Sequence, residues 1–238
     1  MDLTDIIYKR RSSRDFTDEK ISSDIMESIT NFADNLKPLV PGIKTSYEIV
    51  DNSQVTLLLN WRAPYYVAIF SEEKEYYLEN SGFMYQQLDL YLQSIGLGSC
   101  WIGLGKVKSS VQKDSQKFII LIGFGKVRTT PYRELSEFNR LSLNDISDIN
   151  DEKLKPAQYA PSASNSQPWY FTHDNDIYHV YRRKNNIIRR KFMDKFNKVD
   201  IGISLAHMYL TNKDTFEFIN CKENKKIDGY EYECSFKI

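Results

Sequence analysis

The sequence predicts an α+β protein in which antiparallel-rich central sheets are flanked by helices and the chain divides into two homologous halves. Three observations predict this. Short apolar and aromatic runs that read as strands are interleaved with helical stretches, without the regular crossover units of a parallel sheet. Hydrophobic residues make up 41% of the 238 positions and aromatic residues 13%, too much for a disordered chain and enough for a real core. The chain also matches itself at an offset of 120 positions: Pro41-Gly42 falls on Pro161-Ser162, Ser46 on Ser166, Gly82 on Gly202 and Leu90 on Leu210. The order of elements around these matches favours a duplication over coincidence.

Asp2, with Asp5 three residues on, predicts a capped short helix through Arg10. Asp24 and Glu27 resemble a capping pair for a helix running towards Leu36, ended by Lys37-Pro38 and Val40-Pro41-Gly42. Tyr47–Val50, Tyr65–Phe70 and Phe118–Ile122 read as strands. After Gly82, Phe83, Met84, Leu88, Tyr91, Leu92 and Ile95 recur at helical spacing. Ile203, Leu205, Ala206, Met208, Tyr209 and Leu210 follow Gly202 in a run apolar enough for a buried helix. Trp169–Phe171 and Ile177–Tyr181 form an expected pair around Asp174-Asn175-Asp176, and Phe216–Ile219 and Tyr230–Cys234 add two more strands. The charged segment Asn139 to Asp151 is the expected joint, dividing the chain into residues 1–138 and a shorter half, 139–238.

Lys+Arg and Asp+Glu number 32 each, so no global field favours nucleic acid or an anionic membrane. The local basic run Arg182-Arg183-Lys184, with Arg189-Arg190-Lys191 after it, reads as a solvated face. No apolar stretch reaches the length of a membrane span, and Met1-Asp2-Leu3-Thr4 lacks the basic-then-apolar order of a signal peptide. Cys100, Cys221 and Cys234 make no disulfide framework, and His173, His179 and His207 have no metal spacing. The expectation is a reduced, cytoplasmic protein without a metal site, with His207 a hydrogen-bonded core or interface histidine.

Three motifs carry the chemistry. Arg10-Arg11-Ser12-Ser13-Arg14-Asp15-Phe16 groups guanidinium forks with hydroxyls, a set that suits a phosphate and equally suits an exposed helix end. Gly96-Leu97-Gly98-Ser99-Cys100-Trp101-Ile102-Gly103 opens with a glycine placed to cap the preceding helix. Trp101 suits either a cover on a bound ring or a place in the core, while Cys100 reads as a small buried residue and not a nucleophile. Pro161-Ser162-Ala163-Ser164-Asn165-Ser166-Gln167-Pro168-Trp169 is a turn of small polar side chains entering a strand. Neither Gly96-x-Gly98 nor Gly103-x-Gly105 completes a dinucleotide fingerprint.

Taken together these motifs resemble the flavin-binding signatures of the FMN-dependent nitroreductase family, in its fused two-half, Thermotoga-type form. The resemblance implies the nitroreductase-like fold, with the halves packed as an internal pseudo-dimer around one FMN. It implies that Arg10, Arg11 and Ser12 contact the cofactor, Arg10 and Ser12 at its phosphate. Arg14, the candidate catalytic residue, would lie by the ring edge where negative charge collects on reduction. Cys100, Trp101, Ile102, Gly103 and Leu104 would line the ring, the last three through backbone N–H groups. Arg140 would close the phosphate pocket. Pro161, Ser162, Ala163, Ser164, Asn165 and Gln167 would contribute from the other half. The first half keeps the arginines and the glycine-rich run but has Val40-Pro41-Gly42-Ile43 in place of the polar turn; the second keeps the turn but follows its helix with Thr211-Asn212-Lys213-Asp214. Parts for one site remain. The implied activity is reduction of a small aromatic acceptor, nitroaromatic or quinone, by NADH or NADPH in ping-pong turnover, by a monomer or a homodimer. The alternative is a flavin sensor or store of the same fold that does not turn over.

Overall fold

The computed structural model describes residues 2–185, 187–220 and 225–238. In chain order the elements are α1 (Leu3–Ile7), α2 (Ser23–Ala33), β1 (Thr45–Asp51), β2 (Val55–Leu57), β3 (Tyr65–Ser71), α3 (Tyr77–Ser94), β4 (Gly98–Ile102), β5 (Gly105–Val107), β6 (Lys117–Gly125), α4 (Leu143–Ile146), α5 (Lys155–Gln158), β7 (Trp169–Asp174), β8 (Ile177–Arg183), α6 (Ile187–Thr211), β9 (Glu217–Ile219) and β10 (Tyr230–Lys237). Cys221 lies outside the described residues, as do the side chains of Arg189, Arg190 and Lys191.

Two four-stranded sheets dominate, ordered β1-β3-β6-β4 and β7-β8-β10-β9, with a small β2–β5 ribbon beside the first. Every strand pair is antiparallel. Within each sheet the order is the same, first-second-fourth-third strand, and in each a long helix connects the second strand to the third. Those helices, α3 and α6, pack on each other between the sheets. At their crossing a methyl added to Gly82 would lie 2.1 Å from the Val199 carbonyl oxygen, and one added to Gly202 would lie 1.9 Å from that of Glu79. Positions 79 and 199 are themselves 120 apart, so the contact is reciprocal, as across the two-fold axis of a dimer. Only glycine lets the two backbones approach this closely.

One continuous core takes residues from both halves, including Val67, Ile122, Phe83, Trp169, Phe171 and Phe236. Each such side chain, fully buried, contributes roughly 1.5–3 kcal/mol. Asp2 caps α1 by accepting the Thr4 N–H, but the helix ends at Ile7 and not at Arg10. The backbone of Arg10 instead pairs with Tyr132. Ser22, not Asp24, occupies the cap position of α2, which ends at Ala33. Phe32 stacks on Tyr91 of α3 with ring centroids 4.0 Å apart. Gly96 takes φ +82° after α3, where Leu97 N–H returns to Leu92 O.

The glycine-rich run differs from the expected loop. Gly98–Ile102 is strand β4, hydrogen-bonded to β6, and only Gly103-Leu104 turn into β5. The expected joint contains α4, with a Ser142–Asp145 capping box, and Ser147 bridges Phe171. Arg182 is buried and ion-paired to Asp194, Glu231 and Glu233. The solvated-face reading therefore holds for Arg183 and Lys184, which are exposed, and not for Arg182. No described helix is long and apolar enough to cross a membrane.

Candidate functional site

Gly98 allows the N-terminal basic segment to lie directly on β4. A Cβ there would meet Ser13 at 2.7 Å and Val127 at 2.2 Å. Ser13 N–H donates to Ser99 O at 2.9 Å, and Arg11 N–H to Pro131 O and Gln93 Oε1. This carries Ser12 and Arg14 to the mouth of a cavity of about 330 Å³. Its other walls are Cys100–Leu104 from β4 and the turn after it, Pro161–Ser164, and Phe196, Val199, Asp200 and Ile203 from α6. The surface is mainly apolar and both halves supply it. Beside it, sharing Ser12, Arg14, Pro161, Ser162 and Ser164, lies a second cavity of about 320 Å³ that also takes in Arg11, Arg133, Arg140 and Asn165.

The polar turn is held in a strained form. Ser164, Asn165 and Gln167 have φ of 53°, 55° and 45°, left-handed conformations that cost non-glycine residues of order 1–3 kcal/mol each and that persist where surroundings enforce them. Here Gln167 N–H donates to Ser162 Oγ at 2.9 Å, and Gln167 Oε1 accepts Leu141 N–H at 2.8 Å. Arg140 donates to Asn165 Oδ1 at 2.6 Å, and Asn165 Nδ2 to Asn139 O at 2.9 Å. From below, Asp200 accepts the Ala163 N–H at 3.0 and 3.1 Å.

Cations crowd the second cavity without matching carboxylates. Burial, then the neighbouring guanidiniums of Arg10 and Arg11, pulls Arg133 down to about 10. Burial, then Arg10 and Arg133, pulls Arg140 down to about 9. Arg10 Nη1 and Arg140 Nε are buried with no hydrogen-bond partner. A multiply charged anion in this cavity would relieve the repulsion among its guanidiniums.

Most of the residues anticipated from sequence converge here. Ser12, Arg14, Cys100, Trp101, Ile102, Gly103, Leu104, Pro161, Ser162, Ala163 and Ser164 line the first cavity; Arg11, Arg140 and Asn165 line the second. Two sit behind the walls. Gln167 braces the turn, and Arg10, fully buried, pairs with Asp89 at 3.1 Å and donates to Ser12 Oγ at 3.2 Å. Asp89 also accepts from Ser99 and Gln86, and Gln86 accepts the Trp101 indole N–H at 3.0 Å. One buried network on α3 thus ties the basic segment to the cavity wall. Burial pushes the Cys100 thiol up, against a nucleophilic role. His207 joins Gln86 to the Pro156 carbonyl, and burial lowers it to about 3, so it is neutral.

Sequence reasoning missed Arg133, Phe196 and Asp200. Arg133 stands in a turn with no motif. Asp200 carried a signal, an acid inside the apolar stretch Val199-Asp200-Ile201-Gly202-Ile203. No group of described residues is arranged to hold a metal ion.

A family model described as "Putative TM nitroreductase" matches residues 2–212. The chain belongs to this nitroreductase family. Among solved structures, a "putative nitroreductase" from Thermotoga maritima MSB8 superposes on this nitroreductase-family chain with TM-score 0.67 at 21% identity, covering 99% of it and 92% of the other. A nitroreductase family protein from Clostridium difficile 630 gives TM-score 0.51 at 16% identity, and 96% of that protein matches 61% of this one. At these identities the likeness is one of fold. No curated protein matches the chain.

Proposed function

We propose that the protein is an FMN-dependent oxidoreductase that uses NADH or NADPH to reduce a small aromatic acceptor, a nitroaromatic or a quinone. The observation that carries this reading is the joined pair of cavities. A mainly apolar slot suits a flat ring system, and it adjoins a pocket lined by Arg11, Arg14, Arg133 and Arg140, where Arg140 Nε has no hydrogen-bond partner among the described residues. The residues present fit the cofactor. Arg11, Arg133, Arg140 and Ser12 would hold the phosphate, with Arg10 lending charge from behind. Cys100–Leu104 and the Pro161–Asn165 turn would hold the ring. When bound, FMN supplies two-electron hydride chemistry.

The chain's own residues position and tune. Arg14 lines both cavities, so its fixed positive charge would favour negative charge on a ring bound in the slot. Phe196 packs on the Gly103 turn, its ring 3.0 Å from where a Cβ would stand, and with Trp101 it forms an aromatic part of the slot's wall. The strained turn presents Ser162 and Ser164 to both cavities without rearrangement. Because walls come from both halves, a single chain would complete one site and bind one FMN, as a fused pseudo-dimer.

Titration with FMN followed by anaerobic mixing with NADH and NADPH tests the reading. One tightly bound, reducible flavin per chain is expected. Bound flavin that neither nucleotide reduces would make the protein a store or sensor, and no binding would remove the proposal.

A further inference from the structure

Among the described residues, Asp200 is the one carboxylic acid on the wall of the slot. It is 4% exposed, stands on α6 among Phe196, Val199 and Ile203, and among the described residues its oxygens accept only the Ala163 N–H. No described cation pairs with it. Arg14 and Cys100 are the other titratable groups lining the cavity, while Lys198, two positions earlier on α6, turns to Glu79 and Glu233 instead. Burial lifts the Asp200 carboxyl well above the usual range. The molecule also contains its own control. Asn80 holds the corresponding place on α3, 120 positions earlier, and its Oδ1 accepts the Leu39 and Val40 N–H groups at 2.9 and 3.0 Å. An amide therefore suffices to tether a turn, and a buried acid costs more.

We propose that Asp200 is the proton donor of the slot, delivering its proton to an oxygen of the acceptor as that acceptor is reduced; this rests on the reductase reading above. The balance closes for a quinone. Oxidation of NAD(P)H to NAD(P)+ supplies two electrons and one proton as hydride. Asp200 supplies the second proton, hydroquinone leaves, and the carboxylate is reprotonated from water. The other groups on the wall are poor proton donors. A guanidinium such as that of Arg14 does not give up its proton, burial raises the Cys100 thiol, and serine hydroxyls are too weakly acidic.

Asp200→Asn tests this, since the amide keeps an acceptor for Ala163 N–H as Asn80 does for its own turn. On the FMN-loaded protein, anaerobic stopped-flow with NADH and then p-benzoquinone separates the two half-reactions. The expected result is a roughly 100-fold or larger loss in the quinone half-reaction together with loss of its dependence on pH, while the NADH half-reaction changes much less. Infrared difference spectra of the cofactor-free protein provide a second readout: one protonated-carboxyl component at neutral pH that is missing from Asp200→Asn, while the component from Glu79, which burial also pushes up to about 7, remains. An unchanged quinone rate and pH profile in a variant that still binds FMN would overturn the proton-donor role alone. Failure of the parent protein to bind FMN, or of NADH to reduce it, would overturn the reductase reading and this inference with it.

Discussion

On one side of the α3–α6 crossing Phe196, Val199 and Asp200 face the apolar slot. On the other side Tyr76, Glu79 and Asn80, each 120 positions earlier, occupy the corresponding places. Tyr76 and Glu79 line a hollow there together with Lys198, Tyr232 and Glu233, while Asn80 turns to Leu39 and Val40. Lys198 Nζ stands 3.3 Å from both Glu79 and Glu233, and Arg182 joins Glu233, Glu231 and Asp194. Burial, opposed by Lys198, pushes the Glu79 carboxyl up to about 7. The comparison teaches that one scaffold holds two contents. A flat ligand can enter the apolar side, whereas on the ionic side it would have to strip buried charges of their partners, at several kcal/mol each.

The largest effect should come from the charge that backs the working side. Arg10→Ala is expected to cost about 3–5 kcal/mol of stability, because it leaves Asp89 buried without its cation. Urea unfolding measures this, and an unaffected midpoint would mean that the α3 network is not a structural unit. Next are the two glycines. Gly82→Ala and Gly202→Ala should each lose about 3 kcal/mol. Similar losses support a reciprocal crossing; tolerance of one alone would break the symmetry that the comparison assumes.

A smaller effect separates the two sides in binding. Arg140→Ala should weaken FMN binding by about 1.5–3 kcal/mol, the range for a lost hydrogen bond to a charged group, and Asn165→Ala should act in the same direction through Arg140. Lys198→Met, on the ionic side, should leave FMN affinity unchanged. Fluorescence titration decides, and an effect of Lys198→Met as large as that of Arg140→Ala would place flavin in both hollows.

At neutral pH the smallest expected effect is that of His207, which emerges only as a pH dependence towards acid. His207 falls from an ordinary 6.5 to about 3 on folding, so the unfolded chain binds its proton first. Its stabilising contribution is complete above about pH 6.5 and is lost as pH falls towards 3. Gln87, 120 positions earlier, makes the corresponding contact to the Lys37 carbonyl at 2.8 Å with no titrating group. His207→Gln should therefore flatten the acid side of the stability profile by about one proton's slope, read from urea midpoints across that range.

Local pattern was enough for some features. Strand runs such as Tyr65–Phe70 and Phe118–Ile122, the αL glycine at Gly96, and the repeat that pairs Gly82 with Gly202 were legible because apolar periodicity, backbone permissiveness and self-similarity are properties of neighbouring or equivalent residues. The basic segment, the glycine-rich run and the Ser/Asn turn were legible as chemistry for the same reason, since their side-chain types lie together in the chain. Other features depended on distant partners. β4 takes its strand form from pairing with β6, which the glycines of the run conceal. Arg10 turned inward because Asp89, on another element, offers a buried carboxylate, and Arg182 did so because Glu231 and Glu233 return beside it on β10. Arg133 became a wall residue of the second cavity, and Asp200 of the first, only when folding brought the 131–133 segment and α6 to them. By itself the sequence determined most of the longer helices and strands, the repeat and the kinds of groups available. The tertiary structure alone decided which of those groups face the slot, because burial and charge pairing are set by contacts between residues far apart in the chain.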